Sequence, residues 1–253
     1  MATVIHTEDL AVSFDGVTAV FEKLNLAIEK GEFVTLVGVS GAGKSTLLRV
    51  IADLIPAFRG TVRVDTPYDP TRRAIAMVFQ AANLMPWRRV NGNITLGLEG
   101  LEVSEELKQQ RVRWTLDLVG LGEYAERWPY QLSGGQRQRI GIARGLAVDP
   151  DILLMDEPFG ALDAITRHAL QDELLRIWKE TGKSILFVTH DIEEAVYLGD
   201  RVLLLGDTPA HIINEYRVDI DRAERRESTA FLREVEKVRA GLQAAIDGAN
   251  NND

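Results

Sequence analysis

Residues 33–46 restrict the fold more than any other part of the chain. Phe33-Val34-Thr35-Leu36-Val37 is a short apolar run that reads as a strand buried on both faces. It passes directly into Gly38-Val39-Ser40-Gly41-Ala42-Gly43-Lys44-Ser45-Thr46, and a helical pattern follows from Lys44 to about Leu54. This is G-x-x-x-x-G-K-[ST] in the strand–loop–helix setting that the motif requires. Glycines let the backbone curl so that successive amides point inward at phosphate oxygens, and the helix start adds the positive end of its dipole. Lys44 supplies a mobile charge for the β- and γ-phosphates, and the Ser45 hydroxyl suits Mg²⁺. The loop implies a nucleoside triphosphate. By itself it fixes neither the base nor the reaction.

Other apolar runs, at 74–79, 152–155, 185–188 and 202–205, alternate with helical patterns. That alternation predicts an α/β layered fold around a mostly parallel sheet. Residues 85–149 differ: they hold helix patterns at 104–119 and 135–147, no convincing strand, and Pro86 and Pro129, with Pro150 just beyond. They read as a helical insertion between sheet strands. From Arg222 to about Ile246 the chain is charged, with Phe231, Leu232, Val235, Val238, Leu242 and Ile246 at helical spacing. This amphipathic helix is expected to pack on its own domain, with a dimer contact as the alternative. The polar end, 248–253, reads as a fraying terminus.

Composition narrows the function classes. The chain has 253 residues, 45% of them hydrophobic, enough for a sizeable core. With no Cys it has no disulfide, thiolate zinc site or thiol nucleophile, which suits a reducing compartment. The net charge of −9 argues against a broad basic surface for nucleic acid. Residues 1–9 lack the basic start and apolar run of a signal peptide. No stretch approaches the ~18 uncharged apolar residues of a membrane span, so membrane association is expected through a partner or a surface contact.

Two more motifs carry chemistry. Ile152-Leu153-Leu154-Met155-Asp156-Glu157-Pro158 is an apolar strand ending in two acids. Ligands of an open parallel sheet sit beyond such strand ends, so Asp156 is suited to Mg²⁺ and Glu157 to polarising a water. Leu132-Ser133-Gly134-Gly135-Gln136 opens the helix pattern that follows it; Ser133 is a natural N-cap, and the glycines bare backbone amides. One chain thus carries two helix starts suited to phosphate.

Together these residues resemble the ATP-binding subunits of ABC transporters, over nearly the whole chain and in that family's motif order. Gly38–Thr46 resembles its Walker A loop, Ile152–Glu157 its Walker B strand, and Leu132–Gln136 matches its signature letter for letter. Gln80 falls at the Q-loop, Ala161-Leu162-Asp163 at the D-loop, His190 at the switch histidine, and Phe14 at the aromatic that stacks on adenine. The resemblance implies a single ABC ATPase domain over 1–253. Within it, a P-loop NTPase (RecA-like) core would occupy about 1–84 and 150–220, with an antiparallel β N-terminal part. A helical subdomain would cover about 85–149 and a helical tail about 222–253. It implies ATP and Mg²⁺, and two copies facing head to tail. The loop at 38–46 of one copy and Ser133, Gly134, Gly135 and Gln136 of the other would clamp one nucleotide. Lys44 and the loop amides of Gly38, Ser40, Gly41, Ala42, Gly43, Ser45 and Thr46 would hold its phosphates. Ser45, Asp156 and Gln80 would serve the metal, Glu157 would be the general base, His190 would meet the γ-phosphate, and Asp163 would link the two sites.

The segment Gln80–Arg89 joins apolar and aromatic residues to two arginines, and by resemblance forms a groove for a short cytoplasmic helix of a membrane permease. Leu84-Met85-Pro86-Trp87 and the short stretch from Gly60 to Phe79 are similar to importers of nitrate, sulfonates and taurine. The resemblance then implies permease subunits, a separate solute-binding protein, no nucleic acid, and a place on the cytoplasmic face of a bacterial inner membrane. Exporter or lipid-transport ATPases, and soluble non-transport ABC proteins, are the alternatives. Gly160, where Ser is common, and Asn91-Gly92-Asn93 depart from the family pattern, at positions expected to lie off the chemistry. Relatives with a regulatory domain after the ATPase core are longer, so no large C-terminal regulatory domain is expected here.

Overall fold

A computed structural model describes residues 2–39, 41–206, 209–222, 225–226 and 228–250, without the side chains of 246 and 248–250. Its contacts divide the chain into two compact units, residues 1–65 with 184–253 and residues 66–183.

The first unit contains two sheets. β1 (Thr3–Ser13) pairs antiparallel with β2 (Ala19–Glu29) and with β4 (Arg59–Val64). The second runs β7-β3-β8-β9 within this unit: β3 (Phe33–Gly38) lies parallel to β7 (Ser184–Thr189) and to β8 (Arg201–Gly206), and β9 (His211–Arg217) closes the edge antiparallel. Every residue of β3 and β7 is buried, as continuous apolar strands between covered faces must be. Register sets Val37 opposite Thr189 and Gly38 opposite Leu205. The phosphate-loop start and the residue before His190 therefore stand at neighbouring strand ends. α1 (Lys44–Ile51) follows β3, and α6 (Ile192–Leu198) follows β7.

The last helix, α7, begins at Thr229 and not near Arg222, because Ser228 caps it by accepting the Phe231 amide at 3.1 Å. It runs to Asn250, into the end expected to fray, and residues 251–253 lie outside the described part. Phe231, Val235 and Val238 bury against Val196, Val202 and Leu204, so the apolar stripe packs on its own unit as expected. Leu232 is exposed, and nothing is described of the Ile246 side chain.

Ahead of α7, Arg225 is 2% exposed. Its guanidinium donates to the carbonyls of Val196, Tyr197 and Gly199 at the end of α6, and to those of Val218 and Ile220. Burial pushes its pKa down to about 10, so it stays charged at neutral pH and satisfies carbonyls that a helix end leaves open. Arg225→Met should cost about 3 kcal/mol, because buried acceptors lose a charged donor. Urea unfolding with an unchanged slope reads this out; a loss below about 0.5 kcal/mol would place the residue among ordinary surface positions.

The second unit holds parallel β5 (Ile75–Val78) and β6 (Ile152–Asp156) with four helices: α2 (Val90–Gly97), α3 (Glu105–Leu118), α4 (Gly134–Ala147) and α5 (Ala164–Thr181). Residues 85–149 contain helices and turns and no strand. α4 packs closely on the strands through Gly145, where a β-carbon would stand 3.2 Å from Val78 and 3.4 Å from Leu153.

Candidate active site

In the first unit the loop at 38–46 is built by close approach. A β-carbon on Gly38 would stand 2.4 Å from the Leu205 carbonyl oxygen. Gly43 has φ +83°, and a β-carbon there would meet Val20 at 2.6 Å, so only glycine turns this corner. The turn delivers Lys44 to the first position of α1, where it is 6% exposed, and its Nζ donates to the carbonyls of Gly38 at 2.8 Å and Val39 at 3.0 Å. The ammonium is thus held inside the loop, at a helix start that favours anions. Gly41 takes φ +86°, Ala42 is buried, and Ser45 and Thr46 are half-buried. Ser40 lies outside the described residues.

Phe14 sits in the loop between β1 and β2 and is 69% exposed. The following Asp15 carboxylate accepts the amides of Val17 and Thr18 and the Ser13 hydroxyl, bonds that hold it well below the usual carboxylate range. An aromatic on a braced loop suits stacking on a flat ring. His190 is exposed and stands between Thr189, whose hydroxyl donates to Glu194, and Asp191, which caps α6.

In the second unit Asp156 ends β6, only 8% exposed, and Glu157 follows with φ +44°. A non-glycine residue in the left-handed region costs ~1–3 kcal/mol, strain typical of functional positions. Gly160 lies against the same group: a β-carbon there would be 3.1 Å from Gln80 Nε2 and 3.7 Å from Glu157 Oε2. The expectation that position 160 stands off the chemistry is therefore corrected. The missing β-carbon gives room to the Gln80 amide, while Glu157 would be at ordinary contact distance.

Ser133 caps α4 in a reciprocal box. Its Oγ accepts the Gln136 amide at 3.2 Å, and the Gln136 side chain accepts the Ser133 amide at 3.0 Å. An Oγ that accepts there keeps its proton for a ligand. Gly134 is exposed, whereas Gly135 is buried and close-packed, so it is not glycine merely to bare an amide. Asp163 caps α5, accepting the Thr166 amide and hydroxyl, which hold its carboxyl below the usual range.

Several supporting residues carry no motif. Gln138 of α4 donates to the Phe79 carbonyl, next to Gln80, and Arg144 donates to those of Ala82 and Asn83. Asn93 is fully buried and ties Met85, Arg88 and Arg89 together. Two cavities in this unit touch the segment 80–89: one of about 340 Å³ is lined by Gln80–Leu84 with Gln138 of α4, and one of about 480 Å³ takes only Arg88 of the segment, with Asn91, Gly92, Thr95, Val112 and Arg113 lining much of the rest; Trp87 lines neither and is 70% exposed.

Ser45 in the first unit and Asp156 in the second each offer an oxygen of the kind that Mg²⁺ takes. A hydroxyl and a carboxylate are hard oxygen donors, and no cluster of three His, Cys, Asp or Glu occurs among the described residues. Mg²⁺ uses one or two protein oxygens with phosphate and water, so such a cluster is not required.

Residues 21–160 match the family model described as ABC transporter. The chain belongs to the ABC transporter family. An aliphatic sulfonates import ATP-binding protein of Paracoccus denitrificans is 48% identical over 82% of this chain and 83% of its own. A taurine import ATP-binding protein of Rhizobium johnstonii is 41% identical over 89% and 90%. Among solved structures, a bacterial ABC transporter cassette in dimeric form matches with TM-score 0.73 and 32% identity, over 86% of this chain and all of that one. A dimeric post-hydrolysis state of that cassette, bound to ADP and Pi, matches with TM-score 0.72 and 32% identity over the same shares. This ABC protein is an ATPase with the P-loop NTPase fold. None of its helices, among the described residues, is long and apolar enough to cross a membrane.

Proposed function

We propose that this ABC ATPase energises import of a small sulfonate- or taurine-like solute through membrane permease subunits, the solute arriving on a separate binding protein. The observation that carries the reading is that one chain builds two separate helix starts for phosphate, the loop around Lys44 and the capped start at Ser133. Two copies facing head to tail give each nucleotide one of each. Lys44 and the loop amides hold the β- and γ-phosphates, Phe14 stacks on adenine, and Ser133 donates to the γ-phosphate from the partner copy. Ser45 and Asp156, with Gln80, would hold Mg²⁺, which would supply charge neutralisation on the phosphates. Glu157 takes the proton of the attacking water, with Gln80 and His190 at the γ-phosphate and Asp163 joining the paired sites. The water oxygen bonds to the γ-phosphorus as the bond to the bridging β–γ oxygen breaks, ADP takes that oxygen, and the freed phosphate no longer ties the two copies together. The assembly works at the cytoplasmic membrane face, and the import assignment rests on the names of the relatives.

The groove lined by Arg88, Thr95, Val112 and Arg113 suits a short permease helix: an apolar floor with charged rims. A β-carbon on Gly92 would meet nothing closer than 3.5 Å, so the helix admits a side chain there and Gly92→Tyr projects one from the groove wall. Recovery of the permease subunits with the tagged ATPase should fall by about tenfold or more, equivalent to ~1.4 kcal/mol of binding, with ATP binding retained. Undiminished recovery would exclude this groove as the docking place.

A further inference from the structure

Thr166, in the first turn of α5, belongs to none of the nucleotide motifs, yet three contacts converge on it. Its hydroxyl donates to Asp163 Oδ2 at 2.8 Å, and its amide donates to Asp163 Oδ1 at 2.9 Å. Its Cγ2 methyl faces Gly135 so closely that a β-carbon on that glycine would stand 2.6 Å away, below any tolerable carbon contact. The neighbouring Leu162 side chain lies 3.6 Å from where a β-carbon on Gly134 would be. Gly135 sits two residues after Ser133 and has an ordinary backbone, since it is not among the positive-φ residues. Conformational freedom therefore does not require glycine there; the approach of Thr166 does.

We propose that Thr166 is a positioning residue that sets the Ser133 helix start against the Asp163 loop, and that Gly135 must be glycine to receive its methyl. This deepens the proposed ATP-bridged pair and rests on it. One side of Thr166 fixes the loop said to join the two sites; the other fixes the helix start said to seal the nucleotide of the partner copy. A shift of either by the width of a methyl group moves the other. A misplacement near 1 Å at a phosphate-binding group is enough to weaken closure severely.

The test is a double-mutant cycle in the Glu157→Gln protein, reading the ATP concentration at half-dimerisation by light scattering. Gly135→Ala should raise that concentration by about tenfold, the effect of one badly placed contact (~1.4 kcal/mol). Thr166→Ser deletes Cγ2 and keeps the hydroxyl, so the methyl added at position 135 gains room. The Gly135→Ala/Thr166→Ser pair should return to within about threefold of the parent, and Thr166→Ser alone, which keeps both bonds to Asp163, should also stay within about threefold. Monomer affinity for ATP should stay constant throughout, which a general loss of structure would not allow. If Gly135→Ala alone does not fold, recovery of a folded, dimerising double variant counts as the same rescue. If the double variant is as defective as Gly135→Ala alone, the glycine serves the nucleotide and not Thr166, and the inference falls. If the parent itself forms no ATP-dependent dimer, the proposed reading fails and takes this inference with it.

Discussion

Glu157→Gln should leave ATP binding intact, lower turnover by about a thousandfold, and trap an ATP-bound dimer of twice the monomer mass. The size of the effect follows from what the change removes. Gln keeps the length, the planar end group and the left-handed backbone of residue 157, but its amide cannot take a proton from water. Residue 157 sits at φ +44°, and Gln takes that backbone conformation at about the same cost as Glu. Gly160 has no side chain to block the neighbouring Gln80 amide, so the substituted group meets the same surroundings as the carboxylate. Steady-state phosphate release and light scattering with ATP decide the matter. Normal hydrolysis by the variant would remove Glu157 from the base role. Loss of ATP binding would instead mean that the side chain holds structure, not protons.

Residue patterns of this kind are local, which is why they were legible. An apolar run, a glycine loop and a Lys–Ser pair follow one another within 33–46, and the structure places Lys44 at the start of α1 as the spacing requires. The same holds for the strand ending at Asp156 and for the serine cap of α4. What stayed hidden depends on distant chain segments meeting. Arg225 reads as one more charge in a solvated helix, yet its five acceptors come from the end of α6 and from residues 218–220. Gly135 reads as a bared amide until Thr166 of another helix packs against it. Gly160 reads as harmless until Gln80, eighty positions earlier in the sequence, lies over it. Backbone strain at Glu157 has no sequence signature, since glutamate carries no preference for positive φ. The segment 80–89 reads as one groove wall, yet the structure divides it: Gln80–Leu84 line one cavity, Arg88 lines another, and Trp87 lines neither, because Asn93 of α2 ties Met85, Arg88 and Arg89 down between them.

Lys44→Ala should weaken ATP binding by about a hundredfold while leaving the nucleotide-free protein close to its original stability. The two halves of this expectation have separate causes. An ammonium–phosphate bond in a sheltered loop contributes roughly 3 kcal/mol, since charge-assisted bonds are the strong ones and water is partly excluded. Without nucleotide, Lys44 gains its bonds to the Gly38 and Val39 carbonyls, but it is a buried cation at a helix start, where the dipole opposes it. Alanine forgoes the bonds, removes the opposed charge and is the best helix former, so the terms largely offset. Thermal unfolding then separates binding from folding. ATP at ~100 times the original Kd stabilises the unmodified protein by about 2.7 kcal/mol, and the same concentration should give the variant only about 0.4 kcal/mol. Lys44→Arg should not rescue it, because a planar guanidinium does not fit a loop closed around a compact ammonium. An undiminished shift with Lys44→Ala would mean that the triphosphate is held elsewhere. The second helix start, at Ser133, would then be the first place to look.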